Sequence, residues 1–227
     1  MFFKKHIDSL VNRYTFLKPI LEIIESGLDG AESNIMAMNE SYTPFLCVYV
    51  LLTFALLHKE WSVLQITTGI FVISYYIYFV HRFSHYLPTE GLWKYLNYHP
   101  GIHHLGQGGP LGIALESLTN MMFFSGIFLI QYFTDIWLVP AYMILMVSIS
   151  YTSIHAINYS IIGKKSHAKH HADESVNFTP DYLDHIFGTN ADKTYEDLSD
   201  SIPNLIAGFI AAYFVKNGCL PFVPAKW

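Results

Sequence analysis

Histidine is the residue that stands out in this chain, which has 227 residues and 12 histidines. Most of them fall into three short boxes: HRFSH at 81–85, HPGIHH at 99–104 and HAKHH at 167–171, with His155 standing alone between the second and third. A neutral imidazole is a transition-metal ligand, and clustered imidazoles without thiolates suit iron, zinc or copper. Only 2 cysteines are present, Cys47 and Cys219, so neither a disulfide framework nor a thiolate cluster competes with that reading.

Spacing says how the boxes could chelate. If a helix continues through HRFSH, His81 and His85 stand one turn apart on one face. Pro100 suits a first helical turn, which puts His99 at a helix start with His103 one turn on and His104 rotated by about 100°. Adjacent histidines can then address two different metals. In HAKHH, Ser166 is a candidate N-cap, and i, i+3, i+4 spacing sets His167, His170 and His171 on one side of a helix.

The candidate ligands are therefore His81, His85, His99, His103, His104, His155, His167, His170 and His171. That is too many for one ion and enough for two ions with four or five ligands each. Oxidation of an unactivated C–H bond would need iron, whereas zinc could act only as a Lewis acid or generate a hydroxide. The second ring nitrogen of a ligating histidine is usually held by a carboxylate or carbonyl, and Glu116, Asp173, Asp181 and Asp184 are the carboxylates available. TPDYLDHIFGT at 179–189 reads as a short helix with Pro180 in its first turn and Gly188 as its stop, setting Asp181, Asp184 and His185 on one face.

The elements that must position these side chains are apolar helices. The chain is 52% hydrophobic, 16% aromatic and only 14% charged, with a mean hydropathy of +0.30. That is short of the solvated surface of a soluble domain. Apolar runs cover 44–57, 61–80, 110–133 and 136–157, forming two transmembrane hairpins and about four spans of an all-α integral membrane fold. Every histidine-rich segment then lies on one side, capping the helices. The lysines and arginines gather on that side too, which the positive-inside rule assigns to the cytosol.

Residues 1–41 read as an amphipathic N-terminal helix, Lys4 to Glu25, followed by a polar linker. Residues 42–200 form the membrane-embedded unit that carries the histidine boxes. Residues 201–227 hold a last apolar helix, 202–215, of re-entrant or interfacial length, and a tail. The start, MFFKKHIDSL, lacks the features of a signal peptide and is expected to be mature sequence. A net charge of −5 gives no basic footprint for nucleic acid.

The ordered set HxxxH, HxxxHH, an isolated histidine, HxxHH and DxxFGT, interleaved with two apolar hairpins, resembles the fatty acid hydroxylase superfamily, which includes sterol desaturases and sphingolipid or fatty acid hydroxylases. The similarity runs from about Tyr75 to Thr189. The resemblance implies a non-haem di-iron centre in the endoplasmic reticulum or a bacterial inner membrane. Such a centre uses dioxygen, and electrons from NAD(P)H through a separate carrier, to hydroxylate or desaturate a lipid. Its ligands would be the nine histidines named, with Glu116 and Asp184 where relatives carry acidic residues.

Three departures stand out. His185 replaces a common arginine after the aspartate, Ser166-His167 replaces a doubled histidine, and His155 lacks the second histidine that some hydroxylases carry on this helix. Asn158, Asn177 and His185 are the candidates to complete that shell. Two other readings stay open: a zinc-dependent membrane hydrolase or lyase using the same histidines, and a non-enzymatic carrier of metal or haem.

Overall fold

The computed structural model describes residues 42–57, 61–105, 109–191 and 198–219. The expected N-terminal amphipathic helix, the linker and the C-terminal tail fall outside them. The described residues are helical, with no strand among them.

The helices are α1 (Tyr42–Ala55), α2 (Val63–Ser84), α3 (Trp93–Leu96), α4 (Tyr98–Gly101), α5 (Gly109–Thr134), α6 (Ala141–Ser153), α7 (Lys165–Ala172), α8 (Asp181–Phe187) and α9 (Ile202–Phe214). α6 runs on as a π-helical segment, Ile154–Ile162.

Local chemistry sets several boundaries. Ser62 and Gln65 form a capping box, the Ser62 hydroxyl accepting from the Gln65 N–H while the Gln65 side chain accepts from the Ser62 N–H, and this starts α2. The turn from α5 to α6 is tied by Gln131, whose Oε1 accepts from Leu138 and Val139 N–H at 2.8 Å and whose Nε2 donates to Val139 O at 2.9 Å. Pro140 caps α6, so that helix begins later than the apolar run from 136 suggested.

Among the described residues, three helical stretches are long and apolar enough to cross a membrane: Val63–Ser84, Gly109–Thr134 and Leu198–Asn217. The first two match the expected spans, whereas α1, with 14 residues, is shorter. The last stretch corrects an expectation. It reaches 20 residues because a 3-10 turn precedes α9 and a π turn extends it, so length no longer marks it as re-entrant.

Polarity is turned inside out. Large apolar side chains such as Leu64, Phe71, Leu111, Met122, Phe133 and Phe214 are exposed, while Thr53, Glu116, Asn120, Gln131, Ser148, Ser150 and Asn204 are buried. Polar groups sheltered behind an apolar exterior are the pattern a lipid environment selects. Gly208 lets α9 approach α6 closely, since a Cβ there would collide with Ser150 Oγ and Met146 O.

The helix directions gather the histidines. α2 and α6 run toward the end that carries His81 and His155, while α5 and α9 start there. Ser160 lies against Glu116 and Asn158 against Ser201. α3, α4, α7 and α8 cap that end.

Candidate metal centre

The second box is not one helix. α4 ends at Gly101, and His103–Leu105 forms a separate 3-10 turn. The break sends His103 and His104 in different directions, the division expected of adjacent histidines. In the third box the N-cap is Lys164 rather than Ser166, which lies inside α7. His167, His170 and His171 leave this one helix toward two separate clusters.

His81, His85, His99 and His170 form the first group, and His103, His167 and His171 the second. In the first, Nε2 of His81 lies 2.7 Å from Nε2 of His99 and 3.1 Å from that of His170, with 3.4 Å between His99 and His170. His104 Nε2 approaches the same cluster, 3.1 Å from His99 Nε2. In the second, the three Nε2 atoms are separated by 2.9, 2.9 and 3.1 Å. Nitrogens bound at 2.0–2.1 Å to one ion would stand about 3.0 Å apart at right angles and about 3.4 Å apart tetrahedrally. Both triangles have that size.

Tautomers sharpen the point. His81 Nδ1 lies 2.6 Å from Phe178 O and His170 Nδ1 lies 2.6 Å from Val176 O. A carbonyl only accepts, so in the neutral ring each Nδ1 carries the proton and each Nε2 presents a lone pair. Lone pairs facing one another at about 3 Å repel; a cation between them reverses the sign. The donor set therefore fits two metal ions, both held through Nε2.

Carboxylates support several of the rings. His103 Nδ1 is 3.0 Å from Glu116 Oε2. Glu174, which sequence reasoning did not single out, reaches two rings of the first cluster, with Oε2 3.2 Å from His85 Nδ1 and Oε1 3.1 Å from His104 Nδ1. Its only sequence signal was its place just beyond HAKHH, and the helix stops at Ala172 before it.

Asp184 touches no ligand. Its carboxylate accepts from Phe178 N–H at 2.9 Å, Thr179 N–H at 2.8 Å and Thr189 Oγ1 at 2.7 Å. It thereby fixes the strap whose carbonyls hold His81 and His170. Burial pushes its carboxyl up to about 6, against the pull of those hydrogen bonds.

His155 is 1% exposed, and neither ring nitrogen has a hydrogen-bond partner. Its ring centroid lies 5.0 Å from that of His167 and 6.1 Å from that of His103. An orphaned buried imidazole at the edge of the second group is what a fourth ligand looks like without its ion. The π segment carries it there, and such segments recur at functional sites.

Asn158 turns away from the centre, donating to Ser201 Oγ at 3.1 Å. Asn177 accepts from Ala191 N–H at 2.9 Å and shapes the same strap as Asp184. Neither these two nor His185 joins a histidine group. Asp173 holds its own turn through Ser175, and Asp181, half-buried, starts α8.

The rings are electrostatically prepared. Burial, then the neighbouring rings, hold His99 and His167 well below the ordinary histidine value. For the same reasons His104 is pushed down to about 2. Burial also leads for His170 and His171, each lowered to about 4. Neutral imidazole at pH 7 is the state that binds metal.

A cavity of ≈ 470 Å³ adjoins the second group, lined by His103, His167, His171, Glu116, Tyr159 and Ser160 among others. Comparison of the chain with protein-family models, curated proteins and solved structures returns no match. The chemistry of the site is argued from its residues.

Proposed function

We propose that this protein is a membrane-bound non-haem di-iron oxidase that hydroxylates or desaturates a lipid such as a fatty acyl chain, sphingolipid or sterol. The observation that carries the reading is the convergence of histidine Nε2 atoms into two metal-sized clusters at one end of an apolar helical bundle. Bound iron would supply the dioxygen chemistry, with electrons from a separate NAD(P)H-dependent carrier.

The chain's own residues do the rest. His81, His85, His99, His104 and His170 would hold one ion, and His103, His155, His167 and His171 the other. Glu174, Glu116 and the 176–178 carbonyls fix ring orientation. The cavity beside the second group admits substrate, and the order of the histidine boxes agrees with the hydroxylase superfamily. In this reading the centre faces the cytosol of the endoplasmic reticulum or of a bacterial cell.

The test combines metal analysis and dioxygen consumption of purified protein with lipid mass spectrometry of cells expressing wild type or His170→Ala. Two iron ions per chain, dioxygen uptake and a lipid product lost in the variant are expected. Stoichiometric zinc with full activity in the absence of dioxygen would make it a hydrolase or lyase instead. Identical lipid profiles from two stably expressed proteins would remove the lipid reading.

A further inference from the structure

Between the first and second histidine boxes the chain reads YLPTEGLWKYL, residues 86–96, with Glu90 and Lys94 its only charges. The segment belongs to the cap, where polar side chains would suit water, yet Tyr86, Leu92, Trp93, Tyr95 and Leu96 are each more than half exposed. Successive residues of α3 step about 100° around its axis. Lys94 is the one that packs on protein, since a Cβ on Gly101 would stand 2.8 Å from Lys94 Cα. Trp93, Tyr95 and Leu96 take the other three sides. The Lys94 ammonium lies over the Tyr95 ring, 4.9 Å from its centroid.

Two side chains fix the depth of this segment. Asn97 Nδ2 donates to Ser84 O at 2.8 Å, at the last residue of α2. Tyr98 Oη donates to Gly112 O at 3.0 Å, in the first turn of α5. The 22 residues of α2 cover about 33 Å, close to the ~30 Å of a hydrocarbon layer. The end of α2, and α3 pinned beside it, then fall at the level of the lipid headgroups. Apolar exposure also runs on along the chain from Phe79 and Phe83 of α2 into Tyr86.

A protein partner would cover one side of so short a helix and leave the others wet, and one acidic and one basic residue offer it no charge to match. A bilayer surface surrounds such a helix on every side that does not touch its own protein, and tryptophan and tyrosine are the residues favoured there. We propose that residues 86–96 are an interfacial anchor seated in the headgroup layer, with Tyr86, Leu92, Trp93, Tyr95 and Leu96 among the glycerol groups and upper acyl carbons of phospholipids. The anchor rests on the membrane part of the reading above and not on iron or oxidation. His99 follows Asn97 by two residues, so the anchor sets the height of the second box above the hydrocarbon.

The test uses the full chain in nanodiscs containing one of two phosphatidylcholines, with a photoreactive diazirine at the glycerol end of an acyl chain or at its methyl end. Adducts are mapped by peptide mass spectrometry. The glycerol-end probe should label 86–96, and the methyl-end probe should label α2 and α5 but not 86–96. Trp93 gives a second reading, because the fluorescence lost in Trp93→Phe, an exchange of one exposed ring for another, is the share of Trp93. Most of that share should be lost to phospholipids brominated on their upper acyl carbons and spared by aqueous iodide.

Adducts on α2 and α5 with none on 86–96 overturn the anchor and leave the membrane reading standing. Iodide quenching of the Trp93 share also overturns it by placing the ring in water. Resistance to both quenchers does the same by placing the ring under protein, whether another segment, a second copy or a carrier. Absence of adducts from every helix removes the membrane reading and the anchor together.

Discussion

The two histidine groups are built from the same three boxes yet held differently. In the first, His81 and His170 are anchored by backbone carbonyls of the 176–178 strap, and His85 and His104 share one carboxylate, Glu174. In the second, His103 leans on a buried carboxylate that also borders a cavity, and neither ring nitrogen of His155 has a hydrogen-bond partner. The second group has open space beside it. Catalytic metal sites keep a position free and structural ones close up. On the proposed reading, substrate would approach the ion of the second group, which has the cavity beside it.

The largest effect expected is on metal count. His103→Ala should lower two ions per chain to one and leave the first group loaded, and His170→Ala should do the reverse, read by elemental analysis of purified protein. If either variant loses both ions, the groups are a single unit and the comparison breaks.

Acid should treat the groups alike. His170 in the first and His171 in the second are both lowered to about 4, burial being the main cause. Their folded values lie below the unfolded value of about 6.5. Fold stability from these rings is thus complete above about pH 6.5 and falls as the pH drops toward about 4, because the unfolded chain binds the protons first. Metal retention should follow the same course, since protons compete for Nε2. Melting temperature and bound metal measured from pH 7.5 to 4 check this. One group emptying a full pH unit before the other would show that the two environments differ more than their geometry does.

The smallest effect sharpens the comparison. Glu174→Ala removes the carboxylate behind His85 and His104, and should weaken the first ion about tenfold, the lower end for outer-shell partners because Glu174 is half-exposed. The second ion should be unchanged. Competition against a chelator, with the two sites separated by the histidine variants, measures it. A loss at the second site instead would move Glu174 to the other group.

Much of this was legible in the residues. The spans at 63–84 and 109–134 follow from apolar length alone, and the eight histidines of the boxes follow from their spacing, because both signals are local. Glu116 was legible as a buried charge in an apolar helix that needed a partner.

What escaped was non-local. Glu174 meets His85 across the fold, and Asp184 acts on His81 only through the Phe178 carbonyl, so neither pairing leaves a mark at helical spacing. The second box looked like one helix because Pro100 fits a first turn. Tertiary placement of the two rings divided it into α4 and a 3-10 turn.

The separation of the ligands along the chain has a further consequence. His81 meets His170 across 89 residues, and His103 meets His167 across 64. On the two-ion reading, each ion would act as a reversible cross-link closing a long loop, and such closures remove the most freedom from an unfolded chain. Metal loading would then close the cap over helices already in place. A chain short of metal would keep its apolar helices but leave its cap unclosed.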